Sequence, residues 1–277
     1  MKRILGVVSL VCLVAVASVV VLAQAPGEAT TEAAVVATGG IDKAPMQAPG
    51  TVSRLYMIRV KPGMDAQWME GAKEHVAWHR AQNDTFTWLG FYVETGKNTG
   101  MYGWITQGHD WADFDAYDAA MGAADGENAM ATMGQYEESH TSLFSMGFPD
   151  ISSPPDPEAQ GPGLVGVTHY TIAPARQADF MGAISKAHGA LQAGGYEGRY
   201  AWSTAVNGGE GTVMTLAFPM NSWAEMAEPD PSIDQIFAEQ LGQEGAAELM
   251  EAFFGAVLNT ESWMARILPD ITYIPGS

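Results

Sequence analysis

Residues 52–82 read VSRLYMIRVKPGMDAQWMEGAKEHVAWHRAQ, and residues 164–193 read LVGVTHYTIAPARQADFMGAISKAHGALQA. Each stretch opens with a run rich in β-branched and large apolar residues, Val52 to Val60 and Leu164 to Ile172. A proline follows two positions on, at Pro62 and Pro174, and a helical pattern then runs over 64–82 and 176–193. Proline closes a strand because it has no N–H to give to the ladder. A shift of 112 residues lays one stretch on the other without a gap, pairing Pro62 with Pro174, Ala66 with Ala178, Trp68 with Phe180 and Met69 with Met181. Self-similarity at a fixed spacing is the signature of a repeated unit.

Outward from these stretches the correspondence continues. The same shift pairs Gly96 with Gly208, Trp111 with Trp223, Ala112 with Ala224 and Asp113 with Glu225. Further on the shift becomes 120, matching Pro149-Asp150-Ile151 to Pro269-Asp270-Ile271. The second unit has therefore gained about eight residues, best placed at Pro229-Asp230-Pro231. After each first helix comes an aromatic-rich strand, marked by Phe86, Trp88, Phe91 and Tyr92 and paralleled by Tyr196, Tyr200 and Trp202. A Gly-rich turn, Thr95 to Gly100 or Asn207 to Gly211, joins it to a further strand over 101–107 or 212–218, which is hairpin chemistry. A helix near Asp110 or Ser222 and a second helical stretch follow, with a short last strand expected around the Pro-Asp-Ile element. The order is βαββαβ twice, the ferredoxin-like split βαβ unit. One such unit leaves a sheet face bare, so an α+β fold is expected in which two tandem ferredoxin-like units, 51–155 and 163–277, pack as an intramolecular α+β barrel.

The strand ending in Val60-Lys61-Pro62-Gly63, the helix opening at Asp65 and the Trp111-x-x-Phe114 start of the second helix resemble the dimeric α+β barrel superfamily. That group includes antibiotic-biosynthesis-type monooxygenases, NIPSNAP-like proteins, haem-degrading enzymes and chlorite dismutases. The resemblance implies the fold more firmly than an activity, because one fold hosts many chemistries. It also implies association through sheet edges and helices, so a homo-oligomer is an open expectation.

The first 25 residues read as a secretory signal: Lys2 and Arg3, an apolar run from Leu5 to Leu22, then Ala23-Gln24-Ala25. Residues 26–50, small and rich in Pro, Gly and Thr, read as a disordered leader. An exported protein, periplasmic or extracellular, is expected, with no membrane attachment after cleavage. Cys12, the only cysteine, lies inside the apolar run, so the mature chain has no disulfide or covalent haem link. The chain has 13 basic and 32 acidic residues for a net charge of −19, and losing Lys2 and Arg3 takes it to about −21. Such a charge argues against nucleic acid and anionic membranes, whose binding runs through Lys and Arg.

Chemistry is concentrated on the first helix. At about 100° per residue, Met64, Trp68, Gly71, Ala72, Val76 and Trp78 form an apolar stripe, opposite Glu70, Lys73, Glu74, Ala77 and Arg80. His75 and His79 fall in the middle of that stripe and are expected to point between helix and sheet. In βαββαβ order the end of this helix and the exit of the third strand share an edge, which brings His109 into consideration as a third group. Such a set suits zinc or iron, although Val76 stands where a His-Glu-x-x-His protease needs its glutamate. At the 112 shift the three histidines become Ala187, Leu191 and Asn221, so the second unit lacks all of them.

Three readings follow. In the leading one, a small apolar or aromatic molecule binds between helix 64–82 and its sheet. His75 and His79 are then the catalytic or polar contacts, with His109, Trp68 and Trp78 in the ligand-binding wall. In the second, the protein is a non-catalytic structural or assembly module, and the interior around Trp68, His75 and His79 is packed without a cavity. In the third, it binds metal through His75, His79 and His109, or haem. The resemblance suggests haem through a histidine just before the last strand, where His140 stands, although a solvated helix-end residue is the simpler account of it. No cofactor is named by the sequence. The Gly-rich stretches lack dinucleotide-fold and P-loop contexts. The 16 methionines, including Met130 and Met133, read as adaptable packing.

Overall fold

A computed structural model of the protein describes residues 50–153, 163–209 and 211–276. The stretch read as a signal, 1–25, and all but residue 50 of the expected leader, 26–50, lie outside them. Strand β1 (Val52–Val60) turns at Pro62-Gly63 into helix α1 (Asp65–Gln82), which ends on Asn83 in the left-handed region. Strands β2 (Leu89–Val93) and β3 (Tyr102–His109) form the hairpin, joined through Gly96 and Gly100 at positive φ. Helix α2 (Trp111–Tyr117), a π-helical turn (Asp118–Gly122) and helix α3 (Ala123–Thr132) lead to strand β4 (Glu137–Gly147). The second half follows the same order: β5 (Leu164–Ile172), α4 (Gln177–Ala193), β6 (Ala201–Asn207), β7 (Val213–Met220), α5 (Ile233–Ala256, interrupted at Gly242) and β8 (Val257–Ile267).

All eight strands close into one antiparallel barrel in the order β1-β3-β2-β8-β5-β7-β6-β4. Within each half the first strand lies between the fourth and third, with the second at the edge. The halves meet where β2 pairs with β8 and β4 with β6. Closure matters physically, because neither half is left with an open edge of unpaired backbone groups.

Strand alternation then sorts the side chains into layers. In β1, Val52, Ile58 and Val60 join the cluster of α1 and α2, which holds Trp68, Ala72, Val76, Trp104, Phe114 and Tyr117. Ser53 and Leu55 point instead into the barrel. The second helical layer is built on Tyr170, Phe180, Ile184, Trp202, Phe237 and Phe253. A third cluster inside the barrel includes Met57, Phe91, Val93, Val167 and Trp263.

One expectation is corrected. The last strand of each half does not lie around Pro-Asp-Ile; it precedes it, over Glu137–Gly147 and Val257–Ile267. Pro149–Ile151 and Pro269–Ile271 are single 3₁₀ turns behind those strands. Proline favours such turns, whereas the polar 138–141 stretch of β4 hides a strand because its side chains are exposed. His140 is consequently a strand residue rather than a helix-end one. Among the described residues no helix is long and apolar enough to cross a membrane.

Candidate functional site

Helix α1 presents Trp68, Gly71, Ala72, His75, Val76 and His79 as its buried face. It approaches the C-terminal end of α3 very closely at Gly71, where an added Cβ would lie 2.2 Å from the Thr132 carbonyl oxygen. That approach sets α3 alongside the histidines one and two turns further on. The π-helical turn between Tyr117 and α3 inserts a residue into the helical repeat, a device common at functional sites. Asp125 thereby faces α1.

Three polar atoms converge there. His75 Nε2 and His79 Nε2 are 3.1 Å apart, and Asp125 Oδ1 lies 3.3 Å from the first and 3.5 Å from the second. The outer ring nitrogens are also held. His75 Nδ1 donates to Asn128 Oδ1 at 2.8 Å. His79 Nδ1 has Asp84 Oδ2 at 2.8 Å, an ion-pair contact with the oxygen off the N–H axis. Asp84 is itself buried and accepts hydrogen bonds from the Phe86 N–H (2.8 Å) and the Trp88 indole N–H (2.7 Å). Tyr117 donates to Asp125 Oδ2 at 3.1 Å. Burial alone would raise the Asp125 carboxyl, but the adjoining His75, the charge of His79 and the Tyr117 hydroxyl outweigh it and hold the group below the ordinary carboxylate range.

The cluster forms one wall of a cavity of about 300 Å³. Tyr56, Ile58, Trp88 and Trp104 form the sheet side, Ala129, Met130 and Met133 the helix side, and Glu137 and His140 the rim. Burial pushes the Tyr56 hydroxyl up to about 12, so it faces the cavity as a neutral phenol. The equivalent space in the second half is about 30 Å³, walled by Ala187, Leu191, Phe237, Leu249 and Phe253. A separate, mainly apolar cavity of about 280 Å³ lies inside the barrel, with His169 on its wall.

The expected site residues divide. His75 and His79 are brought together as anticipated. His109 stands apart: it stacks on Phe86 with ring centres 3.9 Å apart and is hydrogen-bonded to Thr106. Phe86 and Trp88 form an aromatic chain between it and His79, and Asp125 takes the third place in the cluster. Trp68 is fully buried against Tyr102 and Trp104 and does not line the cavity. Trp78 stacks on His75 and meets His79 edge-on, also outside the cavity lining. His140, on β4, is mostly exposed and paired with Glu137 at 3.1 Å. Asp84, Asp125 and Asn128 were not anticipated. Their signals were present in an acid five residues after His79 and an Asp-Gly-Glu-Asn run on an otherwise Ala- and Met-rich helix.

The other two histidines are hydrogen-bonded within the second half. His169 accepts from the Trp263 indole N–H at 3.1 Å and bonds Thr215 at 2.9 Å, and His188 Nδ1 bonds the Tyr200 hydroxyl at 2.8 Å. His109, His169 and His188 are all shifted below the ordinary histidine value, in each case chiefly by burial. Their neutral forms are favoured in the fold, so between their folded values and about 6.5 the unfolded chain binds more protons. Stability from these groups is therefore complete above about pH 6.5 and is lost as the pH falls through the folded values. Thermal unfolding across this range should show a fall in midpoint on acidification that His109→Gln makes shallower. An unchanged slope in that variant would show that His109 is not held neutral.

No family model matches the chain, and no curated protein matches it by sequence. Solved structures do match. A candidate monooxygenase from Lactobacillus acidophilus superposes with a TM-score of 0.50 at 10% identity, covering 82% of this chain and 97% of that one. A candidate monooxygenase from Fusobacterium nucleatum gives 0.51 at 10% identity, covering 80% and 94%. A candidate chlorite dismutase gives 0.50 at 10% identity, covering 80% and 96%. At such identity the likeness is one of fold: the chain has the ferredoxin-like α+β barrel architecture of monooxygenase-like and chlorite-dismutase-like proteins.

Proposed function

We propose that this protein binds a small apolar or aromatic molecule in the first-half cavity and acts on it as a monooxygenase-like enzyme, with His75 and His79 as its proton-handling contacts. The observation that carries this reading is the inequality of the two halves. The same helix-on-sheet layer encloses about 300 Å³ in one and about 30 Å³ in the other. Only the open one has a facing pair of imidazoles; its counterpart has Ala187 and Leu191 at those positions and a single His188, bonded to the Tyr200 hydroxyl. A module with purely architectural duties would gain by packing both layers to the same density.

The wall chemistry fits that class of ligand. Trp88, Trp104 and Tyr56 offer aromatic faces, and the paired imidazoles, backed by Asp84 and Asn128, can take up or return a proton at Nε2. The reading includes a tandem origin, with units 51–155 and 163–277 descended from one antibiotic-biosynthesis-monooxygenase-like or NIPSNAP-like unit, the second completing the barrel. It also includes export through the signal at 1–25.

Thermal unfolding in the presence of phenols, indoles and naphthoquinones tests the pocket. At least one should raise the midpoint of the wild type, and Ala129→Trp, which fills the cavity from α3, should abolish the effect. His75→Ala should weaken it. No stabilisation by any of them, or stabilisation that survives Ala129→Trp, would remove the reading.

A further inference from the structure

We propose that His75 Nε2, His79 Nε2 and Asp125 Oδ1 bind a single divalent first-row transition-metal ion, with its remaining coordination position open to the first-half cavity. This builds on the pocket reading, because the open position faces the space assigned to the small molecule.

The first argument is spacing. The three atoms stand 3.1, 3.3 and 3.5 Å apart. A point about 2.05 Å from all three, a normal zinc–imidazole or zinc–carboxylate length, lies about 0.7 Å out of their plane and subtends angles of about 98°, 107° and 117°. Those are three corners of a tetrahedron. One face of a regular octahedron at that bond length would need its ligand atoms about 2.9 Å apart.

The protons of the cluster point the same way. Asn128 Oδ1 is an acceptor 2.8 Å from His75 Nδ1, so that ring carries its proton there, and Asp84 Oδ2 stands 2.8 Å from His79 Nδ1. In the neutral ring His75 Nε2 is then a bare lone pair, facing His79 Nε2 and a carboxylate oxygen. Asp125 Oδ1 is buried and makes no hydrogen bond of its own. The His75 Nε2 lone pair and the Asp125 carboxylate oxygen, 3.3 Å apart, repel one another unless a proton or a metal ion lies between them. Two imidazoles and one carboxylate suit zinc, iron(II), cobalt(II) or manganese(II), not an all-oxygen calcium or magnesium cage. Asp84 and Asn128 occupy the supporting positions that orient metal-bound histidines.

The test uses the full mature chain, purified without a histidine tag, stripped with chelator and titrated with Co(II). One equivalent should bind per chain, give the visible ligand-field bands of a four-coordinate complex and be displaced by Zn(II). His79→Gln and Asp125→Asn, both checked for a wild-type unfolding curve, should each weaken binding more than about tenfold, and Asn128→Ala by about 10- to 100-fold. His188→Gln, in the second half, should leave the titration unchanged. Failure of the wild type to bind Co(II), or wild-type affinity in folded Asp125→Asn, would overturn the proposal. If His79→Gln does not fold, Asp125→Asn and Asn128→Ala decide it. Aromatic binding by the stripped protein separates the two readings. If it persists without metal uptake, only the metal is removed; metal uptake with no aromatic binding at all removes the pocket reading instead.

Discussion

Asp84→Ala is expected to lower stability by about 3–5 kcal/mol, because a buried ionic group leaves its partners uncompensated. Asp84 is almost fully buried in the stretch between α1 and β2, and its two oxygens serve four groups. One accepts the Phe86 N–H, and the other accepts the Trp88 indole N–H and the Tyr117 hydroxyl and lies against His79. Alanine would strand two buried donors and release the ring of His79. Asp84→Asn keeps the volume and one accepting oxygen, so about half the loss is expected, since a neutral bond replaces an ionic one. Urea unfolding at neutral pH, with an unchanged denaturant slope, measures both. A change below about 1 kcal/mol in the alanine variant would mean that the network is not formed in solution.

Trp68→Ala should cost a similar 3–5 kcal/mol, through a cavity rather than a stranded charge. Trp68 is 0% exposed, with its ring 4.5 Å from Tyr102 and 5.4 Å from Trp104. Its removal also takes the backing from Trp104, a wall of the ligand cavity. Trp78→Ala, by contrast, removes a half-buried ring that stacks on His75 at 6.0 Å, and should cost about 1 kcal/mol. Chemical denaturation of the two variants side by side gives the difference. Equal losses would contradict the distinct places assigned to two tryptophans on one helical stripe.

That contrast shows where sequence reading reaches its limit. Periodicity placed Trp68, His75, Val76 and Trp78 on one stripe, and β1, α1, β5 and α4 were legible to within a residue because apolar runs were punctuated by Pro62 and Pro174. The stripe could not say which of its members face a void and which face a packed sheet, since that depends on what the sheet and α3 bring. His109 was assigned by topology to the same edge as His79. The edge is right, but Phe86 and Trp88 fill the space between them. Asp125 escaped notice because its approach depends on the π-helical turn at 118–122 and on the missing Cβ of Gly71, and neither leaves a periodic trace. Strand β4 was misplaced for a related reason: Glu137 to Ser142 is polar throughout, so its alternation carries no hydrophobic signal.

Whether His75, His79 and Asp125 truly meet in the cavity wall is decided by long-range ¹⁵N–¹H correlation spectra of the histidine rings in the metal-free protein. Asn128 requires a proton on Nδ1 of His75, slow to exchange with water, and Asp125→Asn should shift the Nε2 resonances of both rings together. A bare Nδ1 on His75, or an Asp125→Asn variant that leaves the Nε2 resonances of both rings in place, would contradict the convergence on which the pocket and the metal site depend.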